Sequence, residues 1–206
     1  MISTYQLKSR FQALLRPLAA WLHRSGVTAN QVTVTPCVIS LALGSVALWQ
    51  NERKYLFLLI SLWCLLRMAA NALDGMLARE YGQSSRLGAV LNELGDIVSD
   101  IALYLPFALI VGVNAWLVVA IVWLAVCGEL IGWLCTRVRG VYGERANHGP
   151  MGKSDRALVF GVVALLIGCG VPVEPYLNIV WWCAAALLCV TLYNRARYLA
   201  TRYRDS

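Results

Sequence analysis

Six ionisable residues lie in stretches of the chain that are otherwise apolar: Arg67, Asp74, Glu93, Asp96, Asp100 and Glu129. A charge at such a depth in a lipid-facing segment costs at least a few kcal/mol, so each marks a functional site by default. Their spacing sorts them. Arg67, Asn71 and Asp74 follow at steps of four and three, and Asn92, Asp96 and Asp100 at steps of four, so each trio shares one face of a helix. Carboxylates set among carboxamides are hard oxygen donors, suited to Mg²⁺ or Mn²⁺ held jointly with substrate phosphates. Gly75 and Gly88 sit beside these positions and let a diphosphate or a flat base approach the backbone. Arg79 offers a planar guanidinium suited to phosphate.

The elements that carry these residues must be membrane helices. Of 206 residues, 59% are hydrophobic and 14% charged, and the mean hydropathy is +0.62. A soluble domain carries about 25% charged residues. The predicted architecture is an all-α polytopic membrane protein, one domain over residues 1–206. An amphipathic surface helix at about 5–24, bent at Pro17, precedes six transmembrane helices at about 31–50, 55–78, 87–112, 115–137, 155–171 and 176–194, and a tail at about 195–206 closes the chain. No cleavable signal peptide is expected, because Lys8, Arg10, Arg16 and Arg24 interrupt the first apolar residues. The seven cysteines stand singly and read as inert thiols. No inverted repeat or broken helix points to a transporter.

Fifteen of the eighteen Lys and Arg residues fall on one side of this layout, which makes that side cytoplasmic and places both termini there, in a multi-pass protein of the cell (inner) membrane. The +7 net charge is therefore a topology signal, with no nucleic-acid partner implied. Trp49, Trp116, Trp181 and Trp182 fall at the opposite boundary as an aromatic belt. His23 and His148 read as interfacial and loop residues. At 1.5 Å per residue, Asp74, Asn92 and Asp96 lie within roughly 15 Å of the cytoplasmic boundary, and Arg67 and Asp100 at roughly 18–21 Å, where an ion pair between them is expected. Glu129 either joins Arg67 or lines the cavity.

Read together, the segment runs Asn71-x2-Asp74-Gly75-x2-Ala78-Arg79-x8-Gly88-x3-Asn92-x3-Asp96. It resembles the signature of the CDP-alcohol phosphotransferase family, D-x2-D-G-x2-A-R-x8-G-x3-D-x3-D. The segment Thr28-Ala29-Asn30-Gln31-Val32-Thr33 resembles the family's T-P-N-x-x-T entry to the first span, with alanine in place of proline. The resemblance implies a homodimeric membrane enzyme of phospholipid synthesis. It would take a phosphatidyl group from CDP-diacylglycerol, or another CDP-alcohol, to a polar alcohol, with release of CMP and with Mg²⁺ or Mn²⁺ as cofactor.

The same resemblance implies roles. Asn71, Asp74, Asn92 and Asp96 would hold the metal, and Asp96 would be the general base. Asn30, Thr33, Gly75, Ala78, Arg79, Ser85 and Gly88 would line the CDP site. Lys153, Arg156 and Arg195 would hold an acceptor phosphate, or else serve as positive-inside anchors on anionic lipid. The chain departs from the pattern at Asn71 and Asn92, where the family has aspartates. That removes two negative charges, leaves open one metal or two, and keeps a non-catalytic member of the same fold as the alternative. Glu93, about 100° around the helix from Asn92, is a poor replacement.

Overall fold

The structure, a computed structural model, describes residues 4–50, 52–137 and 148–204. Arg139 and Arg145, counted above for orientation, lie outside them. Helix α1 (Thr4–Arg24) is followed by α2 (Ala29–Trp49), α3 (Lys54–Glu80) and α4 (Arg86–Tyr104). A 3-10 turn (Leu105–Leu109), α5 (Ala115–Arg137), α6 (Lys153–Gly168) and α7 (Glu174–Arg204) complete the chain. Among the described residues there is no strand.

Four of these helices have the length and apolarity of a membrane span: Ala29–Trp49, Lys54–Glu80, Ala115–Cys135 and Glu174–Thr201. The other two expected spans differ for physical reasons. Helix α4 carries Arg86, Glu93, Asp96 and Asp100 along 19 residues. Helix α6 has only 16 residues. The expected third span is also shortened, because the α-helix gives way at Tyr104 to the 3-10 turn that contains Pro106, a residue that cannot continue the helical ladder. At the other end of the chain α7 runs on to Arg204, so Arg195 sits inside a helix and not beyond its end. Helix α1 passes through Pro17 without a break.

Helix α2 packs against α3 and α4, α3 against α6, and α5 against α7. Small residues make these approaches possible, as is usual where lipid supplies no hydrophobic drive between helices. A Cβ at Gly44 would lie 2.1 Å from the Ala102 carbonyl oxygen, so α2 and α4 touch backbone to backbone there. At Gly168 a Cβ would meet Leu58 Cγ at 2.5 Å. Trp63 on α3 donates from Nε1 to Ser40 Oγ on α2 at 2.8 Å.

The heart of the bundle is aromatic. Trp181 stacks on Phe160 at 4.7 Å and meets Phe107 edge-on at 5.7 Å, and Tyr104 stacks on Phe160 at 3.9 Å. Trp181 is therefore fully buried and is not part of a boundary belt, whereas Trp49, Trp116 and Trp182 are exposed. Adjacent residues on a helix point about 100° apart, so Trp182 faces outward while Trp181 faces in.

Helix α1 lays Leu15, Ala19 and Leu22 against Leu73, Met76 and Tyr81 at the end of α3. Arg16 pairs there with Glu80 at 3.4 Å. A second apolar stripe on α1, formed by Phe11, Leu14, Leu18 and Trp21, is left exposed.

Candidate functional site

Three helix starts converge on one end of the bundle, each fixed by a local cap. Thr28 Oγ1 accepts from Gln31 N at 3.3 Å while Gln31 Oε1 accepts from Thr28 N at 2.9 Å, a reciprocal box that sets the first turn of α2 and with it Asn30 and Thr33. Ser85 caps α4 by accepting from Gly88 N at 2.9 Å. Asp155 Oδ2 accepts from Gly152 N at 2.8 Å and so holds the start of α6, where Lys153 and Arg156 stand. The end of α3 and the later part of α7 reach the same region.

Asp74 Oδ2 accepts from Thr33 Oγ1 at 3.0 Å and from Asn92 Nδ2 at 2.8 Å, tying α3 to α2 and α4. One turn deeper, Asp96 Oδ1 accepts from Asn71 Nδ2 at 2.8 Å. The two predicted stripes thus face each other, and each aspartate is held by an asparagine of the opposite helix. Asn71, Asn92 and Asp96 line a narrow cleft with Thr33 and Ser99.

Lys153 enters from α6, and its Nζ donates to Asp96 Oδ2 at 2.7 Å. It also lies 3.4 Å from Glu93 and 3.8 Å from Glu129. Glu93 therefore turns away from the place of Asn92 and toward this ammonium.

The residues expected around a nucleotide fall into two contacts. A Cβ at Gly88 would lie 2.6 Å from Asn30 Oδ1 and 2.9 Å from Ser85 Oγ, so the missing side chain is what lets α2 close on α4. Arg79 folds its guanidinium over Gly75, 2.9 Å from where a Cβ would stand. Ala78, on the same turn, is partly covered. One partner escaped sequence reasoning. Gln83 accepts from Ala29 N at 2.6 Å and meets His23 Nδ1 at 3.3 Å, closing the rim between α1, α2 and the α3–α4 connection. Its only signal was its place two residues before the Ser85 cap.

Beneath the cleft lies a buried ion network. Arg67 Nη2 donates to Asp100 Oδ1, as the matching depths predicted. Arg156 joins this pair from α6, with Nη2 2.9 Å from Asp100 Oδ2 and 3.0 Å from Glu129 Oε1. Arg195 donates to the Gly128 carbonyl at 2.6 Å and stands 3.4 Å from Glu129. Glu129 thus meets all three basic residues assigned above to the acceptor, a role that α5, an apolar helix all round, gave no means of reading.

The donor set can be tested against a metal. Among the described residues no three His, Cys, Asp or Glu side chains form a metal-holding group. What converges is two carboxylates and two carboxamides. Each amide nitrogen already donates to an aspartate, which leaves the carbonyl oxygen as the ligating atom. Such a set fits one hard divalent cation completed by substrate oxygens.

Comparison with known proteins gives the arrangement a context. Residues 26–190 match the family model described as CDP-alcohol phosphatidyltransferase. The chain is 44% identical over 196 residues to the inner membrane protein YnbA of Escherichia coli (strain K12), covering 95% of this chain and 96% of that protein. It is 28% identical over 202 residues to the phosphatidylinositol phosphate synthase of Streptomyces avermitilis, covering 95% of this chain and 81% of that one. The fold matches the crystal structure of Mycobacterium tuberculosis phosphatidylinositol phosphate synthase with CDP-DAG bound at a TM-score of 0.69. The identity there is 21%, over 89% of this chain and 92% of that one. The same synthase in complex with manganese and citrate matches at a TM-score of 0.66 and 24% identity, over 90% of this chain and 88% of that one. At these identities the structural likeness speaks for the fold.

Proposed function

Since the chain belongs to the CDP-alcohol phosphatidyltransferase family, we propose that it transfers a phosphatidyl group from CDP-diacylglycerol to the hydroxyl of a polar alcohol and releases CMP. The observation that carries this reading is the convergence of Asp74 and Asp96, from two facing helices, beside Asn30, Gly75, Arg79 and Gly88. Helices α4 and α6 are taken as crossing the bilayer with the four apolar ones. The site then opens on the side rich in Lys and Arg, the cytoplasmic face of the inner membrane, with the exposed stripe of α1 lying in the headgroups.

The acceptor hydroxyl oxygen bonds to the phosphorus that carries diacylglycerol. The anhydride P–O bond to the nucleotide breaks, and CMP leaves with the electron pair. The hydroxyl proton passes to a carboxylate oxygen of Asp96, the general base. Asn71, Asp74, Asn92 and Asp96 would hold Mg²⁺ or Mn²⁺, which supplies neutralisation of the diphosphate charge. Asn30, Thr33, Gly75, Ala78, Arg79, Ser85 and Gly88 form the nucleotide side of the site, Arg79 reaching the phosphates. Lys153 faces the acceptor and orients Asp96, with Arg156 and Arg195 behind it.

The test is CMP release by purified protein given CDP-diacylglycerol, Mn²⁺ or Mg²⁺ and a panel of alcohols. CMP formed with an acceptor is the expected result. Binding of CDP-diacylglycerol without CMP from any acceptor would replace this reading by a non-catalytic one. That second reading draws on one feature: Asn71 and Asn92 halve the acidic complement, while Lys153 already occupies Asp96.

The asparagines give a separate expectation. Asn92→Asp adds a negative charge 2.8 Å from an Asp74 oxygen. It should tighten Mn²⁺ binding by roughly tenfold, since charge count tunes such sites. Mn²⁺-dependent thermal stabilisation measures this, and an unchanged affinity would place residue 92 away from the cation.

A further inference from the structure

We infer that the acceptor is an alcohol without a phosphate group, and that Glu129 is the residue that excludes phosphorylated alcohols. The inference rests on the transferase reading and deepens it. A site for a phosphomonoester needs cationic side chains whose charge is not already neutralised. Here the three basic residues proposed to face the acceptor all meet protein carboxylates. Arg156, 1% exposed, is shared between Asp100 at 2.9 Å and Glu129 at 3.0 Å. Arg195, 3% exposed, meets Glu129 at 3.4 Å. Lys153, the most open of the three, faces Asp96, Glu93 and Glu129 at 2.7, 3.4 and 3.8 Å.

Glu129 stands where these cations converge, with a side chain only 2% exposed. Its carboxylate takes the place, in charge and in hydrogen-bond acceptors, that the phosphate of an acceptor would need. A phosphate dianion drawn to Lys153 would meet Glu129, Glu93 and Asp96 at close range in a medium that screens poorly, where repulsion between like charges is strong. A neutral polyol or an amino alcohol brings no such repulsion, and its hydroxyls find carboxylate oxygens as acceptors. Discrimination arises here by a repulsive element as well as an attractive one.

Matched pairs test this: glycerol against sn-glycerol 3-phosphate, and inositol against inositol 1-phosphate. Two readouts are taken on the full-length protein. One is CMP release with CDP-diacylglycerol. The other is binding of the same four compounds, by calorimetry, in the presence of CDP-diacylglycerol and Ca²⁺ as a non-turnover cation. The wild type should favour the unphosphorylated member of each pair by at least about tenfold in kcat/KM and should bind the phosphorylated member more weakly than its partner. Glu129→Gln keeps the shape, removes the charge, and should narrow or invert that preference. Wild-type protein that binds or uses the phosphorylated member preferentially overturns the inference, whether or not the variant folds. If CMP forms with none of the four, the transferase reading falls for these acceptors, and the binding order alone decides the inference in the same way.

Discussion

Asp96→Asn should lower transfer by at least about 10³-fold while leaving the bundle folded, since a general base contributes about 10²–10⁴ and this residue would also be a metal ligand. The fold should survive because the substitution is isosteric and its neighbours keep other partners. Lys153 retains Glu93 and Glu129, and Asn71 still faces a carbonyl oxygen. CMP release at saturating CDP-diacylglycerol measures the loss, with gel filtration and thermal melting as the check on folding. A variant that turns over within tenfold of wild type would remove Asp96 from proton transfer. The general base would then have to be sought at Asp74, which is held by Thr33 and Asn92 alone among the side-chain contacts described.

The largest effect on stability is expected at Asp100. Its carboxylate is shared by Arg67 and Arg156, and both arginines are buried. Removing one partner from such a network leaves an uncompensated buried charge, at a cost of about 3–5 kcal/mol. Asp100→Leu should therefore destabilise the protein by that amount in a denaturant titration in detergent. Arg67 is the residue left worst off, because its Nη1 already lacks a hydrogen-bond partner among the described residues. Arg156 retains Glu129. The double substitution Arg67→Met with Asp100→Leu should regain most of the loss, since replacing both ions by apolar groups is often close to neutral. A single-mutant cost below about 1 kcal/mol would show that water reaches the pair and screens it.

How much of this was legible in the sequence depended on whether a pattern had something to break it. The Arg67–Asn71–Asp74 and Asn92–Asp96–Asp100 stripes were legible because polar residues at steps of three and four stand out against an apolar background. The Arg67–Asp100 pair followed from their equal depth. Arg156 was read as an acceptor-phosphate ligand or a positive-inside anchor, since nothing local shows that a charge one turn into α6 is turned inward to a carboxylate 56 residues earlier. Glu129 was found as a buried charge, but its partners lie 24 residues or more away and come from two different helices. Trp181 and Trp182 could not be told apart, because α7 offers no polar face at that level to say which side is lipid. The end of α4 was missed by eight residues where hydropathy continues through Pro106 although the α-helix does not.

The position of Asp100 between an arginine made before it and one made after it also bears on how the chain enters the bilayer. Placing an aspartate at the centre of a lone helix opposes insertion by roughly 3 kcal/mol. On the proposed reading in which α4 crosses the bilayer, α3 has already brought Arg67 when α4 leaves the ribosome, and the two integrate as a hairpin with one ion pair made. Arg156 emerges only 56 residues after Asp100. Lys153 and Arg156 are the cations that Glu93, Asp96 and Glu129 face in the folded protein. Arrival of α6 thus gives Asp100 its second arginine, and it delivers Lys153 to Asp96 in the same movement. Completion of the site then waits on α7, which brings Arg195 to Glu129.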